Sequence, residues 1–419
     1  MRGTGALAAI ALTLVISKHL STIEARNWFI AINIITILGT CLRWGMDEII
    51  VKRLAQSKSS QEDNTELLGV LYFLKIRLQY AILILVFFFV IAAYPLMSKV
   101  GLEIADLTLI VFTSIFVALL MATGRVLQGL GQLNKSAFFL TMGTPLVTSL
   151  SVLIFTKLEM VSRWQEVVTI YIVVTIAFFL IASNSLPISY KLLLNFVRSD
   201  RKTSSIKSVH DLTSHKSANL LGIVVLATQG LPWTGLSIVP IYFNPATANT
   251  FIVAQKLTLS ISLIALMTNF AISTKLAKQF QIGNAKEIWS SFIKGLAFIL
   301  IGCLAISIIA VLYTLEIVRY ANIEGVNSRW VFLNLVVSQI FFGIGTYCAL
   351  FLTMAGKESR LLATTVIINS VGSFLLILSC MSKSVITVAF VYNISYIVYA
   401  MILFGFIYSL LRNHEYENV

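Results

Sequence analysis

Long apolar runs recur along the whole chain, separated by short polar breaks. Crossing the hydrocarbon core of a bilayer takes a helix of about 20 mostly apolar residues. Runs of that kind are centred on 5–18, 27–46, 68–93, 107–124, 136–156 and 166–187 in the first half of the chain. The second half repeats the rhythm at 217–241, 247–272, 289–314, 330–355, 360–381 and 384–411. Continuous runs of this length predict helices. The strands of a membrane barrel would show about 10 residues of strict alternation instead. The pattern predicts an all-α integral membrane protein of about twelve spanning helices. The first run is short, follows Arg2, and lacks a small-residue cleavage site, so it is read as a retained first helix.

Composition agrees with the pattern. Of 419 residues, 58% are hydrophobic and 12% charged, and mean hydropathy is +0.90. A soluble protein carries roughly 25% charged residues. The formal charge is +13. A positive balance fits nucleic acid binding as well as membrane topology, but no arginine-rich strip interleaved with exposed aromatics occurs. Lys and Arg instead gather in alternate loops, as they do on the cytoplasmic side of membrane proteins. With twelve helices this places both termini in the cytoplasm. The longest loop, around 191–216, carries Lys191, Arg198, Arg201, Lys202, Lys207 and Lys216 and falls at the middle of the chain. It divides a first lobe, 1–190, from a second, 217–419.

A linker at the midpoint invites a search for duplication. An offset of 223 residues places Trp28 over Phe251, Ala31 over Ala254, Asn33 over Lys256, Lys52 over Lys275 and Gln56 over Gln279. Identities are few, but each half has six apolar runs and the matched segment is the second run of each. An even number of crossings keeps both halves in one orientation, so the repeat is parallel. Transporters are often built this way, with the substrate site between the halves.

Ionisable residues inside such runs cost roughly 2.5–3.5 kcal/mol at the bilayer centre and are functional candidates by default. Lys256 lies about nine residues, ~14 Å, into its predicted helix, near the midplane. It either faces a cavity or belongs to a structural ion pair. Arg43 and Asp47 are spaced i,i+4 and can share a helix face. They form either a self-contained pair or a partly neutralised basic group at a cavity mouth. Arg125 closes its run as an interfacial anchor or a cavity residue. Lys75 and Arg77 point to different faces, so at most one meets a cavity. Asn33, Gln229, Asn269, Asn334 and Gln339 suit hydrogen bonds between helices. Pro145 and Pro232 fall inside runs, where proline kinks a helix.

Cys41, Cys303, Cys348 and Cys380 all lie in apolar runs and form no CxxC pair, and the four histidines have no metal-ligand spacing. The four thiols are read as small packing residues. No metal or cofactor is expected. A Walker lysine loop is missing, so ATP hydrolysis by that route is excluded. A large loop with paired carboxylates is missing too, which argues against a membrane-embedded enzyme.

The stretch ISKHLSTIEARNWFIAINIITILGTCLRWGMDEIIVKRLAQ (16–56) resembles the first two helices of bacterial polysaccharide flippases. FNPATANTFIVAQKLTLSISLIALMTNFAISTKLAKQFQIGNAKE (243–287) is similar to that family's eighth helix and following loop. GRVLQGLGQLNKSAF (124–138) is similar to its connection between helices 4 and 5. The family's usual glycine in the turn between its first two helices is replaced here by STIEARNWF. On these segments the chain is identified as a member of the multidrug/oligosaccharidyl-lipid/polysaccharide (MOP) exporter superfamily, on its oligosaccharide flippase branch. The resemblance implies two six-helix lobes in a V around a central cavity. It implies transfer of a polyprenyl-diphosphate-linked oligosaccharide, such as an O-antigen, capsule or exopolysaccharide repeat unit, across the bacterial cytoplasmic (inner) membrane by alternating access. The driver expected is a proton or sodium gradient, and the expected partners are membrane lipid, the polysaccharide polymerase and the chain-length machinery. Basic cavity residues of related flippases correspond to Arg43 and Lys256. With them Asn33, Arg125, Asp47, Gln229 and Gln339 complete the candidate substrate-binding set. The rival readings are a cation-coupled multidrug exporter of the same superfamily, a flippase for a lipid-linked peptidoglycan precursor and a polysaccharide polymerase. Drug exporters of this kind usually use acids in the first or seventh helix, and neither run contains one.

Overall fold

A computed structural model describes residues 2–47, 50, 103–186, 212–282, 285–312, 328–355 and 357–412. The predicted run 68–93, with Lys75 and Arg77, lies outside the described residues, as does most of the 191–216 linker.

Among the described residues the chain is helical and contains no strand. The elements are α1 (Arg2–His19), α2 (Thr22–Arg43), α3 (Ile104–Gly129), α4 (Leu133–Ala137), α5 (Gly143–Lys157) and α6 (Trp164–Asn184), followed by α7 (Leu212–Tyr242), α8 (Pro245–Ile282), α9 (Ala285–Leu312), α10 (Ser328–Met354), α11 (Glu358–Cys380) and α12 (Val385–Arg412). Ten segments among the described residues are long and apolar enough to cross a membrane, and Leu7–His19 is a shorter apolar helix. Large apolar side chains face outward, with Leu312 73% exposed, Ile301 69% and Met401 66%. An apolar exterior on this scale is stable only against lipid. The protein is a multi-pass membrane protein.

Helix starts follow local chemistry. The Ser21 hydroxyl accepts from the Glu24 N–H at 3.3 Å, and Asn244 Oδ1 accepts from the Thr247 N–H at 2.9 Å. Asp106 Oδ2 accepts from the Glu103 N–H at 3.0 Å. Glu166 Oε2 does the same for the Arg163 N–H at 2.9 Å. Each satisfies a donor that the first turn of a helix leaves unpaired.

Two predicted helices differ in instructive ways. The run 136–156 begins with α4, passes through a π-helical turn at Phe138–Met142, and continues as α5. Pro145 lies three residues into α5, just past the π turn, and the widened turn coincides with the place where the proline ring would meet the preceding turn of a straight helix. The run 27–46 does not continue unbroken. α2 ends at Arg43, Trp44 and Gly45 adopt positive φ of 30° and 71°, and helix resumes at Met46–Asp47. Glycine reaches the left-handed region without steric cost. A tryptophan there is strained by about 1–3 kcal/mol.

The chain forms two compact units. One contains described residues of 1–15 and 27–226, the other those of 16–26 and 227–419. In the first unit α3 packs on α6, and α5 on α6. Leu120, Leu127, Phe139 and Ala182 form one core of this unit. α2 meets α3 where Gly39 faces Val117 and the Ser114 carbonyl. In the second unit α10 is central, packed on α8 and α12, with α9 and α11 beside it. Its core runs through Phe251, Ile261, Phe292, Tyr347, Phe351 and Tyr392. The Tyr347 hydroxyl donates toward the carbonyls of Ser291 and Phe292, both at 3.1 Å. A Cβ on Gly295 would sit 2.0 Å from that hydroxyl, so this contact of α9 with α10 requires glycine.

Positions paired by the 223-residue offset are mixed in burial: Asn33 is buried where Lys256 is half-buried, while three other pairs agree. Ala25 and Ala248, Trp28 and Phe251, and Ala31 and Ala254 are all buried.

Candidate functional site

The first unit brings three charged candidates together. Gly39 and the segment Ser114–Ala118 mark where α2 approaches α3. One turn beyond Gly39 on α2 lies Arg43, and two turns beyond Ala118 on α3 lies Arg125. The two helices run the same way from their contact, so both arginines reach the same end. Asp47 returns from beyond the break at Gly45 and stands between them. The Arg43 Nη1 donates to Asp47 Oδ2, and Arg125 Nε lies 3.8 Å from the same oxygen. Side-chain exposures are 14% for Arg43, 21% for Asp47 and 25% for Arg125.

The remaining donors are also held. Arg43 Nε donates to the Gly39 carbonyl at 3.1 Å, and Nη2 reaches Thr40 Oγ1 at 3.4 Å. Arg125 Nη1 donates to Gln128 Oε1 at 3.0 Å. Two guanidinium groups share one carboxylate, so the trio carries a net positive charge. Asp47 Oδ1 is buried and has no hydrogen-bond partner among the described residues. Such a partly neutralised cluster holds its arginines in fixed planes. Guanidinium groups in that state are suited to bidentate binding of phosphate or carboxylate oxygens.

Lys256 stands roughly halfway along the apolar span Pro245–Asn269 of α8. It is half-buried and makes no hydrogen bond and no ion pair among the described residues. The neighbouring residue, Gln255, is fully buried and donates from Nε2 to the Tyr392 hydroxyl at 2.8 Å. The same group approaches the Pro232 carbonyl at 3.4 Å. Tyr396 donates onward to the Tyr392 hydroxyl at 3.5 Å. This network locks the α8 turn that carries Lys256 against α7 and α12.

The other candidates are dispersed. Asn33 is buried in α2. Gln229 is half-buried in α7, one turn ahead of Pro232. Gln339 is buried in α10 with Oε1 unpartnered among the described residues. In the second unit Lys256, Gln229 and Gln339 share no hydrogen bond with one another. Asn269 Nδ2 donates to the Thr346 carbonyl at 3.1 Å, and Asn334 Nδ2 to the Trp330 carbonyl in its own helix at 2.9 Å. Both are structural. Sequence reasoning missed Trp44–Gly45, whose Trp-Gly pair is a recognisable stop signal. It also missed Gln255, which a one-residue shift from Lys256 would have exposed.

Acids show a consistent distribution. Asp106 and Glu166 are occupied in helix starts, Glu24 lies in the first turn of α2, and Asp47 pairs with arginine. Among the described residues with described side chains, none lies in the middle of a spanning helix. No group of three or more metal-ligating side chains occurs among the described residues.

No family model matches this sequence, and no curated protein matches it either. Solved structures do. The architecture is that of the MATE transporters and of MurJ. An inward-facing multidrug resistance MATE transporter of the MOP superfamily superposes with a TM-score of 0.73 at 12% identity, covering 98% of this chain and 95% of its own. The lipid II flippase MurJ, in an inward closed conformation, gives 0.68 at 13% identity, with 96% and 85% covered. The Vibrio cholerae MATE transporter VcmN, in its bent form, gives 0.53 at 13% identity, with 99% and 95% covered.

Proposed function

We propose that this protein is a flippase that moves a polyprenyl-diphosphate-linked oligosaccharide from the cytoplasmic to the outer leaflet of a bacterial inner membrane. The observation that carries this reading is the sign of the charges within the spans. The Arg43–Asp47–Arg125 trio is net positive. Lys256 is a cation without a partner among the described residues midway along an apolar span. A diphosphate leaving water needs such cations, because an unpaired charge in low dielectric is costly. The polyprenyl tail can remain in lipid throughout. One structural relative is a lipid II flippase, which supports a lipid-linked substrate for this fold.

Catalysis has no part in the reading. Arg43 and Arg125 receive the diphosphate, and Lys256 attracts it along the path. Half-buried Gln229 offers a hydrogen bond to sugar hydroxyls, and the buried Gln339 and Asn33 would do so once a change of conformation uncovers them. The driver proposed is a proton or sodium gradient, and the polymerase and chain-length machinery are the partners downstream.

A second reading, a cation-coupled multidrug exporter, draws on the structural relatives described as multidrug resistance transporters. A cationic drug, however, would meet arginine and lysine where it needs acids.

The test is deletion of the gene in its native host, with analysis of surface glycans and lipid-linked intermediates. The expected result is lost surface polysaccharide, with complete repeat units accumulating on the carrier lipid at the inner leaflet. Arg43→Ala and Lys256→Ala should each lower complementation while still inserting in the membrane. Unchanged glycans with new sensitivity to cationic drugs would replace this reading with the exporter. Repeat units that reach the surface but never lengthen would indicate a polymerase.

A further inference from the structure

The second unit contains a groove of about 600 Å³ between α8 and α9, beginning two turns past Lys256 on α8, and Lys256 is not among the residues that line it. Its two walls are antiparallel. Ile264 packs against Gly302 at one end, and Gln279 and Ser291 line the end nearer the α8–α9 turn. The part farther from the turn is apolar, formed by Ile264, Ile272 and Phe298. The turn-proximal part is polar and includes Lys294. Phe298 is 63% exposed on a helix whose outer face meets lipid, so the groove opens sideways into the bilayer.

Lys294 is exposed and has no ion-pair partner among the described residues. Side chains on a helix lean toward its N-terminus. For α9 that direction is toward the turn, and it carries the ammonium past Ser291, one turn earlier on the same face. Gln279 is 7% exposed, with a buried Oε1 lacking a partner among the described residues. This end therefore offers a cation and a hydroxyl beside an apolar slot. The surrounding sequence adds Lys275, Lys278 and Lys286 against a single acid, Glu287. Clustered basic residues next to a span attract anionic headgroups.

We infer that the α8–α9 groove is a binding site for an anionic glycerophospholipid of the surrounding bilayer. Its phosphate meets Lys294 and Ser291, and one acyl chain lies along Phe298 and Ile264. The lipid is a resident of the membrane, distinct from any transported substrate.

The full chain, purified in detergent, is titrated with phosphatidylglycerol or phosphatidylcholine of identical acyl chains, and bound lipid is counted by native mass spectrometry. The expected preference for phosphatidylglycerol is about fivefold, the attraction of one basic side chain for an anionic headgroup. Lys294→Ala should abolish the preference and Lys294→Arg should keep it. Met267→Trp, on an exposed position that lines the groove, should reduce retention of both lipids without touching the charge. Equal retention of the two lipids by the natural protein would overturn the inference. So would a preference that survives Lys294→Ala, or retention unaffected by Met267→Trp. Displacement of phosphatidylglycerol by stoichiometric polyprenyl phosphate would overturn it as well, since the groove would then hold a carrier lipid.

Discussion

Asp47 accepts from one arginine, lies within reach of a second, and still has an oxygen with no partner among the described residues. Spacing in the sequence revealed only half of this arrangement. Arg43 and Asp47 are close along the chain, whereas Arg125 comes from a helix far away in sequence, and only packing of α2 on α3 brings it near. The two contacts are unequal, since Arg43 donates directly and Arg125 approaches at 3.8 Å. A double-mutant cycle on thermal unfolding in detergent should show this. Coupling of Arg43 with Asp47 should be about 1 kcal/mol or more, as for a charged hydrogen bond shielded from water. Coupling of Arg125 with Asp47 should fall below about 0.5 kcal/mol, in the range of loose surface pairs. Equal couplings would mean that the carboxylate is shared evenly.

At the level of the element, hydropathy located the helices but not their interruptions. An apolar run looks the same whether the backbone inside it is straight, π-helical or broken. The π turn at Phe138–Met142 and the break at Trp44–Gly45 depend on backbone angles that apolar periodicity does not encode. Close helix contacts are similarly hidden. Nothing in the sequence distinguishes Gly295 from other glycines until Tyr347 is seen against it. Tyr347→Phe should cost about 1 kcal/mol, the usual worth of a buried hydrogen bond. Gly295→Ala should cost more, since the added methyl collides with the hydroxyl. In the Tyr347→Phe background the alanine should cost clearly less, because the atom it strikes has gone. Unfolding of the four proteins in detergent gives the comparison, and strict additivity would show that the α9–α10 contact is not the source of the effect.

At the scale of the whole molecule, composition alone was enough to identify a membrane protein, because an apolar exterior must be encoded in bulk. Orientation rests on the distribution of Lys and Arg, and α11 offers a direct check. Its ends lie on opposite sides if it crosses once, with Ser359 at the start and Ser382 just past the end. Both serines are exposed, while Cys303, Cys348 and Cys380 are buried. In a Cys41→Ser background, Ser382→Cys should react with a membrane-impermeant thiol reagent in intact cells. Ser359→Cys should react only after permeabilisation. The opposite result would invert the expected topology, place the Arg43–Arg125 cluster at the outer face, and count against the flippase proposed above. The resemblance to polysaccharide flippases pointed to Arg43 and Lys256, but it names no particular substrate, and the amides Gln229 and Gln339 are too dispersed along the sequence to define one.

The left-handed residue at Gly45 makes the end of α2 a joint, with Arg43 on one side of it and Asp47 on the other. Rotation about that joint would carry the carboxylate away from both guanidinium groups at once. Bending and unmasking of positive charge are then a single motion. On the function proposed above, an anion that competes for the arginines would favour that rotation in the same act as it binds.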